Sequence, residues 1–181
     1  ALSGGIRILQ YRNKHADSAL KRQQLEALEP VCERHQALLI VNDDWRLAAE
    51  LGVDAVHLGE DDGDIEEARR ALGPGSLIGV SCYASVERAR ALAPVADYLA
   101  FGALFASGTK PLARPAPLSV FREVQALSLA RPLVGIGGID ADNIGSVLAA
   151  GADAAAVIGA LFRQGDVRAA AQRLVAAATR P

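Results

Sequence analysis

The side chains best suited to chemistry near the start of the chain lie in one short segment, Gln10-Tyr11-Arg12-Asn13-Lys14. If this segment ends a strand, residues 10, 12 and 14 point to the same side. An amide, a guanidinium and an ammonium then lie together, and two neighbouring cations are unfavourable unless an anion lies between them. A diphosphate group would meet that need; the alternative is a solvated loop with ordinary surface charges.

Two acidic clusters follow, Asn42-Asp43-Asp44 and Glu60-Asp61-Asp62. We expect each to end a strand, and two acidic strand ends that are neighbours are close enough to share a cation. Mg²⁺ takes one or two carboxylates and completes its shell with substrate phosphate oxygens and water. We therefore predict Asp43 and Asp62 as magnesium ligands. The alternative is helix N-capping, for which Asp is well suited and which is sufficient to explain Asp44.

Glycines mark the ends of the last two predicted strands, in Gly135-Ile136-Gly137-Gly138-Ile139 and in Ile158-Gly159-Ala160-Leu161. Glycine lets bare backbone N–H groups approach a ligand closely, and barrel enzymes commonly bind phosphate at these two loops. Gly137, Gly138, Ile158 and Gly159 are thus candidates for a phosphate cradle. The alternative is that these glycines only make tight turns.

A long segment from Gly102 to about Pro117 offers two hydroxyls and an ammonium, on Ser107, Thr109 and Lys110. It exceeds the usual length of a connection between strand and helix and is long enough to act as a lid.

Short apolar runs alternate with amphipathic segments along the whole chain. The runs are rich in Val, Ile and Leu without polar alternation, which is typical of strands buried on both faces of a parallel sheet. The predicted strands are 5–11, 38–42, 54–58, 77–81, 97–102, 132–136 and 154–158. The predicted helices are 18–35, 44–51, 64–72, 84–93, 117–129, 140–150 and 163–178, with Asp17-Ser18 and Asp140 as N-caps and Gly52, Gly73 and Gly151 at C-terminal ends.

Seven strand–helix units without a linker predict an α/β protein whose 181 residues form one domain, a closed or nearly closed barrel of the TIM barrel type. The polar residues described above gather at the C-terminal ends of the strands, where barrels carry their chemistry. A doubly wound open sheet is the alternative, but the chain lacks its G-x-G-x-x-G turn.

Composition limits the partners. The formal net charge is −2 and the charges are mixed, so neither nucleic acid nor a membrane surface is expected as a partner. No apolar run is long enough for a membrane span. Cys32 and Cys82 match no metal or disulfide spacing, which favours a cytoplasmic protein. We interpret His57, Cys82 and Trp45 as packing residues; a homo-oligomer is compatible with the sequence.

Taken in order, the motifs resemble the thiamine phosphate synthase family. The matching segments cover nearly the whole chain: QYRNK (10–14), VNDDWRLAAELGVDAVHLGEDD (41–62), IGVS (78–81), DYLAFGALFASGTKP (97–111), PLVGIGGI (132–139) and GADAAAVIGALF (151–162). The resemblance implies a transferase that couples 4-amino-2-methyl-5-hydroxymethylpyrimidine diphosphate to 4-methyl-5-(2-phosphooxyethyl)thiazole, with Mg²⁺ as cofactor.

The resemblance also implies roles for individual residues. Gln10, Arg12, Lys14 and Asn42 would bind the pyrimidine diphosphate, and Asp43 and Asp62 would bind Mg²⁺. Ser81 and Lys110 would contact the diphosphate, which makes them catalytic candidates together with Arg12 and Lys14. The thiazole side would be bound by the remaining set: Ser107, Thr109, Gly137, Gly138, Ile158 and Gly159.

The chain departs from the family pattern at a few positions. Glu60 stands where Gln is usual and adds charge near the predicted metal site; the other departures are Ala103 for Pro, Ser107 for Thr, Gly159 for Ser and Tyr83 for His. The family's barrel has eight strands, so we expect the first strand to be missing from this chain, since Ala1 to Gly5 resembles the end of the first helix. Two alternatives are a thiazole tautomerase of the same fold and a non-catalytic binder of thiamine precursors.

Overall fold

The computed structural model describes residues 1–106 and 115–179. Strands and helices alternate through that part of the chain. The strands are β1 Ile8–Tyr11, β2 Leu38–Asn42, β3 Ala55–Leu58, β4 Leu77–Tyr83, β5 Tyr98–Phe101, β6 Leu133–Ile136 and β7 Ala154–Ala156. The helices are α1 Ser18–Arg34, α2 Trp45–Leu51, α3 Ile65–Leu72, α4 Val86–Leu92, α5 Ser119–Gln125, α6 Ile144–Ala149, α7 Gly159–Phe162 and α8 Val167–Ala178, preceded by a 3₁₀ turn at Leu2–Gly4.

The first of two compact units comprises residues 6–79 together with Leu2. Its strands pair in the order β1-β2-β3-β4. β1 and β2 are parallel, with Ile8 opposite Leu38, and β2 and β3 are parallel, with Asn42 opposite His57. Because parallel neighbours end at the same edge of the sheet, the residues that follow β1, β2 and β3 are brought together there.

The second unit comprises residues 80–181 together with residues 1 and 3–5. Its strands pair in the order β4-β5-β6-β7, and β5, β6 and β7 are parallel. Its core includes Phe101 and Phe121, whose rings meet edge to face at 5.8 Å.

Helix ends follow side-chain chemistry closely. Asp17, Asp44, Asp64 and Asp166 each accept a hydrogen bond from a backbone N–H in the first turn of the next helix. Gly52 ends α2 in the left-handed region at φ 73°, where glycine carries no penalty. None of the helices in the described residues is long and apolar enough to cross a membrane.

The alternation of parallel strands and helices is that of the (β/α)8 barrel class, and the described residues supply seven of its strands. All seven predicted strands are confirmed: β2 has the predicted bounds, β4 extends beyond them to Tyr83, and the others are shorter. Two helix predictions need correction. The helix predicted at 163–178 begins later, at Val167 after the N-cap Asp166, and the short helix α7 before it was not predicted. Asp140 is not an N-cap of α6, which begins at Ile144. The single domain over 1–181 stays a prediction.

Candidate active site

The end of β1 presents its cationic side chains on one side. Gln10, Arg12 and Lys14 are exposed, whereas Tyr11 and Asn13 between them are half-buried. The two half-buried side chains both donate hydrogen bonds to Oε1 of Gln24 on α1, from the Tyr11 hydroxyl at 2.8 Å and from Asn13 Nδ2 at 3.1 Å. The predicted alternation along residues 10–14 is therefore present in the structure.

Asp43 is held in an unusual backbone conformation directly after β2. Its φ is +70°, a left-handed value that is uncommon outside glycine. The turn is fixed on both sides, since the Asp43 N–H donates to the His57 carbonyl at 2.9 Å and the Asp43 carbonyl accepts from Trp45 N–H at 3.1 Å. The side chain accepts a hydrogen bond from Lys14, with Nζ 3.0 Å from Oδ2.

Asp62 joins this cluster from the loop after β3. The Gly59 N–H donates to its Oδ2 at 2.6 Å, and a side-chain hydrogen bond connects Asp62 with Asp43. The structure thus brings together three of the predicted site residues, Lys14, Asp43 and Asp62. Glu60, which precedes Asp62 in the loop after β3, is exposed.

The pKa values of the two neighbouring carboxyl groups are shifted in opposite directions. Burial acts to raise the pKa of Asp43, but the hydrogen bonds from Asp62 and Lys14 and the nearby positive charges outweigh burial and hold the pKa of Asp43 below its usual value. Burial and the adjoining Asp43 carboxylate raise the pKa of Asp62. Asp62 is therefore the group that keeps a proton longer as the pH falls.

This donor set fits a hard divalent cation that is shared with a phosphorylated ligand. Two adjacent carboxylates are the protein share that Mg²⁺ commonly takes. In the described part of the chain, no cluster of three or more His, Cys, Asp and Glu side chains could enclose a metal by itself. Asn42 lies next to the pair, and its Nδ2 is buried with no hydrogen-bond partner among the described residues. Such a donor is costly unless a ligand accepts from it.

A cavity of about 210 Å³ occupies this region of the first unit. Four predicted site residues line it, Arg12, Lys14, Asn42 and Asp43. The rest of the lining was not predicted to belong to the site: Tyr11, Asn13, Lys21, Val41, Asp44 and Leu47. Lys21 was missed because nothing in the sequence indicates that its turn of α1 faces the loop after β2. Asp44, interpreted as an N-cap, does cap α2 and also accepts a hydrogen bond from Lys21.

The second unit holds the glycine turn after β6. A Cβ on Gly138, whose φ is +67°, would lie 2.6 Å from the Phe105 carbonyl oxygen, and a Cβ on Gly137 would lie 2.6 Å from Ala103 Cβ. Both positions therefore require glycine. The Gly138 carbonyl accepts from Asn143 Nδ2 at 3.1 Å, which fixes the turn.

The other predicted residues of this unit are less constrained. Ile158 is 55% exposed, and Gly159 begins α7 with space for a side chain, since a Cβ there would be 3.7 Å from Arg163 Cδ. A Ser at position 159, as the family usually has, would therefore fit. Ser81 is half-buried in β4, and its carbonyl accepts from Arg88 Nε at 2.9 Å. Ser107, Thr109 and Lys110 lie outside the described residues.

Parallel strands that alternate with helices, with cations and a carboxylate pair at the strand ends of the first unit, are the features of a (β/α)8-type protein. Residues 1–161 match the family described as thiamine monophosphate synthase. The chain is 54% identical over 175 residues to thiamine-phosphate synthase of Chromobacterium violaceum, covering 96% of this chain and 84% of the relative. The corresponding protein of Methylobacillus flagellatus is 50% identical over 95% of this chain and 82% of its own length. The chain belongs to the thiamine monophosphate synthase family.

Solved structures share the fold of this chain. A thiamine phosphate pyrophosphorylase from Pyrococcus furiosus superposes with a TM-score of 0.88 at 34% identity, over 98% of this chain and 85% of that one. A 3-hexulose-6-phosphate synthase shares the fold at a TM-score of 0.72 and 18% identity, covering 97% of this chain and 91% of its own.

Proposed function

We propose that the chain is a thiamine-phosphate synthase that joins 4-amino-2-methyl-5-hydroxymethylpyrimidine diphosphate to 4-methyl-5-(2-phosphooxyethyl)thiazole and releases diphosphate. Family membership and the curated relatives support the activity. The observation that carries the chemistry is the Asp43–Asp62 pair beside Lys14, because the carboxylates can hold a cation and the ammonium adds positive charge of its own. A departing diphosphate needs positive charge nearby.

The reaction requires stabilisation of negative charge on the leaving group. Bound Mg²⁺, held by Asp43 and Asp62, would neutralise diphosphate charge as the carbon–oxygen bond breaks. Arg12 and Lys14 supply further positive charge from the end of β1, and Asn42 Nδ2 supplies a buried donor. The contact between Lys14 and Asp43, 3.0 Å from Nζ to Oδ2, supports a role for this ammonium beside a metal held by Asp43.

The thiazole substrate needs orientation rather than activation. Its ring nitrogen attacks the pyrimidine methylene carbon, and a bound, aligned nitrogen gains most of its advantage from proximity. We assign the thiazole phosphate to the backbone at Gly137, Gly138, Ile158 and Gly159. The tight fit around Gly137 and Gly138 supports this assignment, because the turn leaves room for backbone alone. Ser107 and Thr109 complete the thiazole side, and Ser81 and Lys110 the diphosphate side, on the family resemblance.

One assay separates this function from its alternatives. The chain is incubated with both substrates, with Mg²⁺ or with EDTA, and thiamine phosphate and diphosphate are quantified by chromatography. A synthase yields both products in equal amounts and only with the metal. A tautomerase changes the thiazole without the pyrimidine substrate, and a binder yields no product. Product formation in EDTA at the rate seen with Mg²⁺ would contradict the metal assignment. A cytoplasmic location and a homo-oligomer stay predictions.

A further inference from the structure

One face of α1 contacts the segment after β1, which carries the predicted diphosphate ligands Arg12 and Lys14, and the loop after β2, which carries the predicted metal ligand Asp43. Lys21 and Gln24 are three residues apart, so they lie one above the other on the same face of the helix. Both are half-buried, while Gln23 between them is exposed. We call Lys21 and Gln24 the α1 pair.

Lys21 reaches the loop after β2. Its Nζ lies 3.0 Å from Asp44 Oδ2, and the two side chains are only 23% and 30% exposed. A partly buried ion pair is less screened by solvent than a surface pair. Asp44 uses its other oxygen to cap α2 at Leu47 N–H, and its own N–H donates to the Asn42 carbonyl at 2.9 Å. Lys21 thereby holds Asp44. Asp44 directly follows Asp43, the residue with the left-handed backbone, in the turn between β2 and α2.

Gln24 reaches the segment after β1. Its Oε1 accepts hydrogen bonds from Tyr11 and Asn13, the two residues on either side of Arg12. With the side chains of Tyr11 and Asn13 tied to α1, the intervening Arg12 and the following Lys14 remain on the exposed side. The α1 pair therefore fixes the cations through Gln24 and the carboxylate through Lys21.

We propose that Lys21 and Gln24 are positioning residues that hold the β1 cations and the Asp43 carboxylate in the relative placement needed to bind one metal-bound diphosphate together. The proposal rests on the function proposed above. It assigns to α1 a role in diphosphate affinity although neither residue needs to touch the substrate.

The chain offers close controls. Lys21→Met removes the ion pair between α1 and the N-cap Asp44. Arg22→Met also removes an ion pair of α1, but its partner is Glu50 on α2, away from both loops. Gln24→Ala removes the amide that holds Tyr11 and Asn13, whereas Gln23→Ala removes an exposed amide of the same type. Lys21→Arg keeps the charge at the same place.

Two measurements are made on every variant of the full chain. The first is the affinity for Mn²⁺ in the presence of inorganic diphosphate, by electron paramagnetic resonance. The second is steady-state kinetics with KM for each substrate. Misplacing a binding group by about 1 Å can cost up to 100-fold, so we expect Lys21→Met and Gln24→Ala to weaken Mn²⁺–diphosphate binding at least about fivefold. KM for the pyrimidine diphosphate should rise in proportion, with KM for the thiazole phosphate unchanged.

The control variants should match the wild type, and Lys21→Arg should recover most of the loss. Equal Mn²⁺–diphosphate affinity in wild type and in both α1-pair variants overturns the proposal, as does an equal loss in Arg22→Met and Gln23→Ala. If Lys21→Met does not fold by circular dichroism, the comparison of Gln24→Ala with Gln23→Ala decides. A wild-type chain that makes no thiamine phosphate refutes the proposed function, while the binding measurement still tests the α1 pair.

Discussion

Replacing Asp62 with Asn separates the metal role of the carboxylate pair from its structural role. The amide keeps the shape of the side chain, can still accept from the Gly59 N–H, and can donate to Asp43. It removes one negative charge from a pair that shares a hydrogen bond. We therefore expect opposite effects: the metal-free protein becomes more stable, and the metal binds more weakly.

The magnitudes follow from charge and exposure. Two unit charges about 4 Å apart repel by roughly 1 kcal/mol in water and roughly 4 kcal/mol at an effective dielectric constant of 20. The Asp43 side chain is 26% exposed and already neutralised in part by Lys14, so the lower figure applies. A gain of about 1 kcal/mol in the free energy of unfolding raises the Tm by about 2–4 °C for a chain of this size.

The loss in metal binding should be larger. Removing an outer partner of a metal ligand typically costs about 10- to 100-fold in affinity, so removing a ligand should cost at least about tenfold. The Mg²⁺ concentration for half-maximal rate is therefore expected to rise at least about tenfold in Asp62→Asn. Asp61→Asn is the matched control, because Asp61 is the exposed neighbour of the same type.

Both effects of Asp62→Asn should depend on pH, because the pKa of Asp62 is raised. A pKa raised in the folded state means that the protonated Asp62 stabilises the fold at acid pH and that this contribution is lost as the pH rises through the raised pKa. In EDTA the Tm gain of Asp62→Asn should thus be absent in acid and develop towards neutral pH. In wild type the Mg²⁺ requirement should increase as the pH falls through the raised pKa of Asp62. A Tm that drops in Asp62→Asn, or an unchanged Mg²⁺ requirement, would refute the shared-site reasoning.

Three further outcomes are expected. Gly138→Ala should lower the free energy of unfolding by at least about 2 kcal/mol in urea titrations, because its Cβ would lie 2.6 Å from the Phe105 carbonyl oxygen. Gly145→Ala is the control: its Cβ would enter open space in a helix, so the substitution should be neutral or stabilising. Burial raises the pKa of Cys82 to about 12, so iodoacetamide at pH 8 should label it only after unfolding, as peptide mass spectrometry can show. Lys110→Ala should lower turnover at least about tenfold, roughly 1.4 kcal/mol of barrier, with an unchanged circular dichroism spectrum and incomplete rescue by Arg; normal turnover would end the role assigned to Lys110.

The sequence was sufficient to predict which residues end the strands, because strand ends are local. Apolar runs identify β1, β2 and β3, and parallel pairing then places Lys14, Asp43 and Asp62 at one edge of the first unit. The alternation of exposure along residues 10–14 follows from the period of a strand. These predictions needed no knowledge of how the helices pack.

Other features depend on packing or on competition between signals. The role of Lys21 depends on which side of α1 faces the loop after β2, and the helix pattern alone does not fix that contact. Asp140 resembles an N-cap, but its Oδ1 accepts from the N–H groups of Asp142 and Asn143 before α6 begins. The break between α7 and α8 did have a local signal, Gly165 followed by the capping Asp166, which the apolar pattern around it concealed.

Backbone strain supports the functional interpretation of Asp43 independently of its charge. Among the described residues, the non-glycine positions with positive φ are Gln36, Asp43, Tyr83, Ser128 and Ala130. Gln36 follows α1, and Ser128 and Ala130 follow α5, where left-handed residues are ordinary. Asp43 instead follows β2 and Tyr83 ends β4, at strand ends where such residues cost about 1–3 kcal/mol and persist only when the surroundings enforce them. Because the neighbouring Asp44 caps α2 with its own side chain, at an ordinary negative φ of −92°, capping does not explain the conformation of Asp43. The conformation does direct the Asp43 carboxylate to Lys14 and Asp62, which is the arrangement that a shared cation requires.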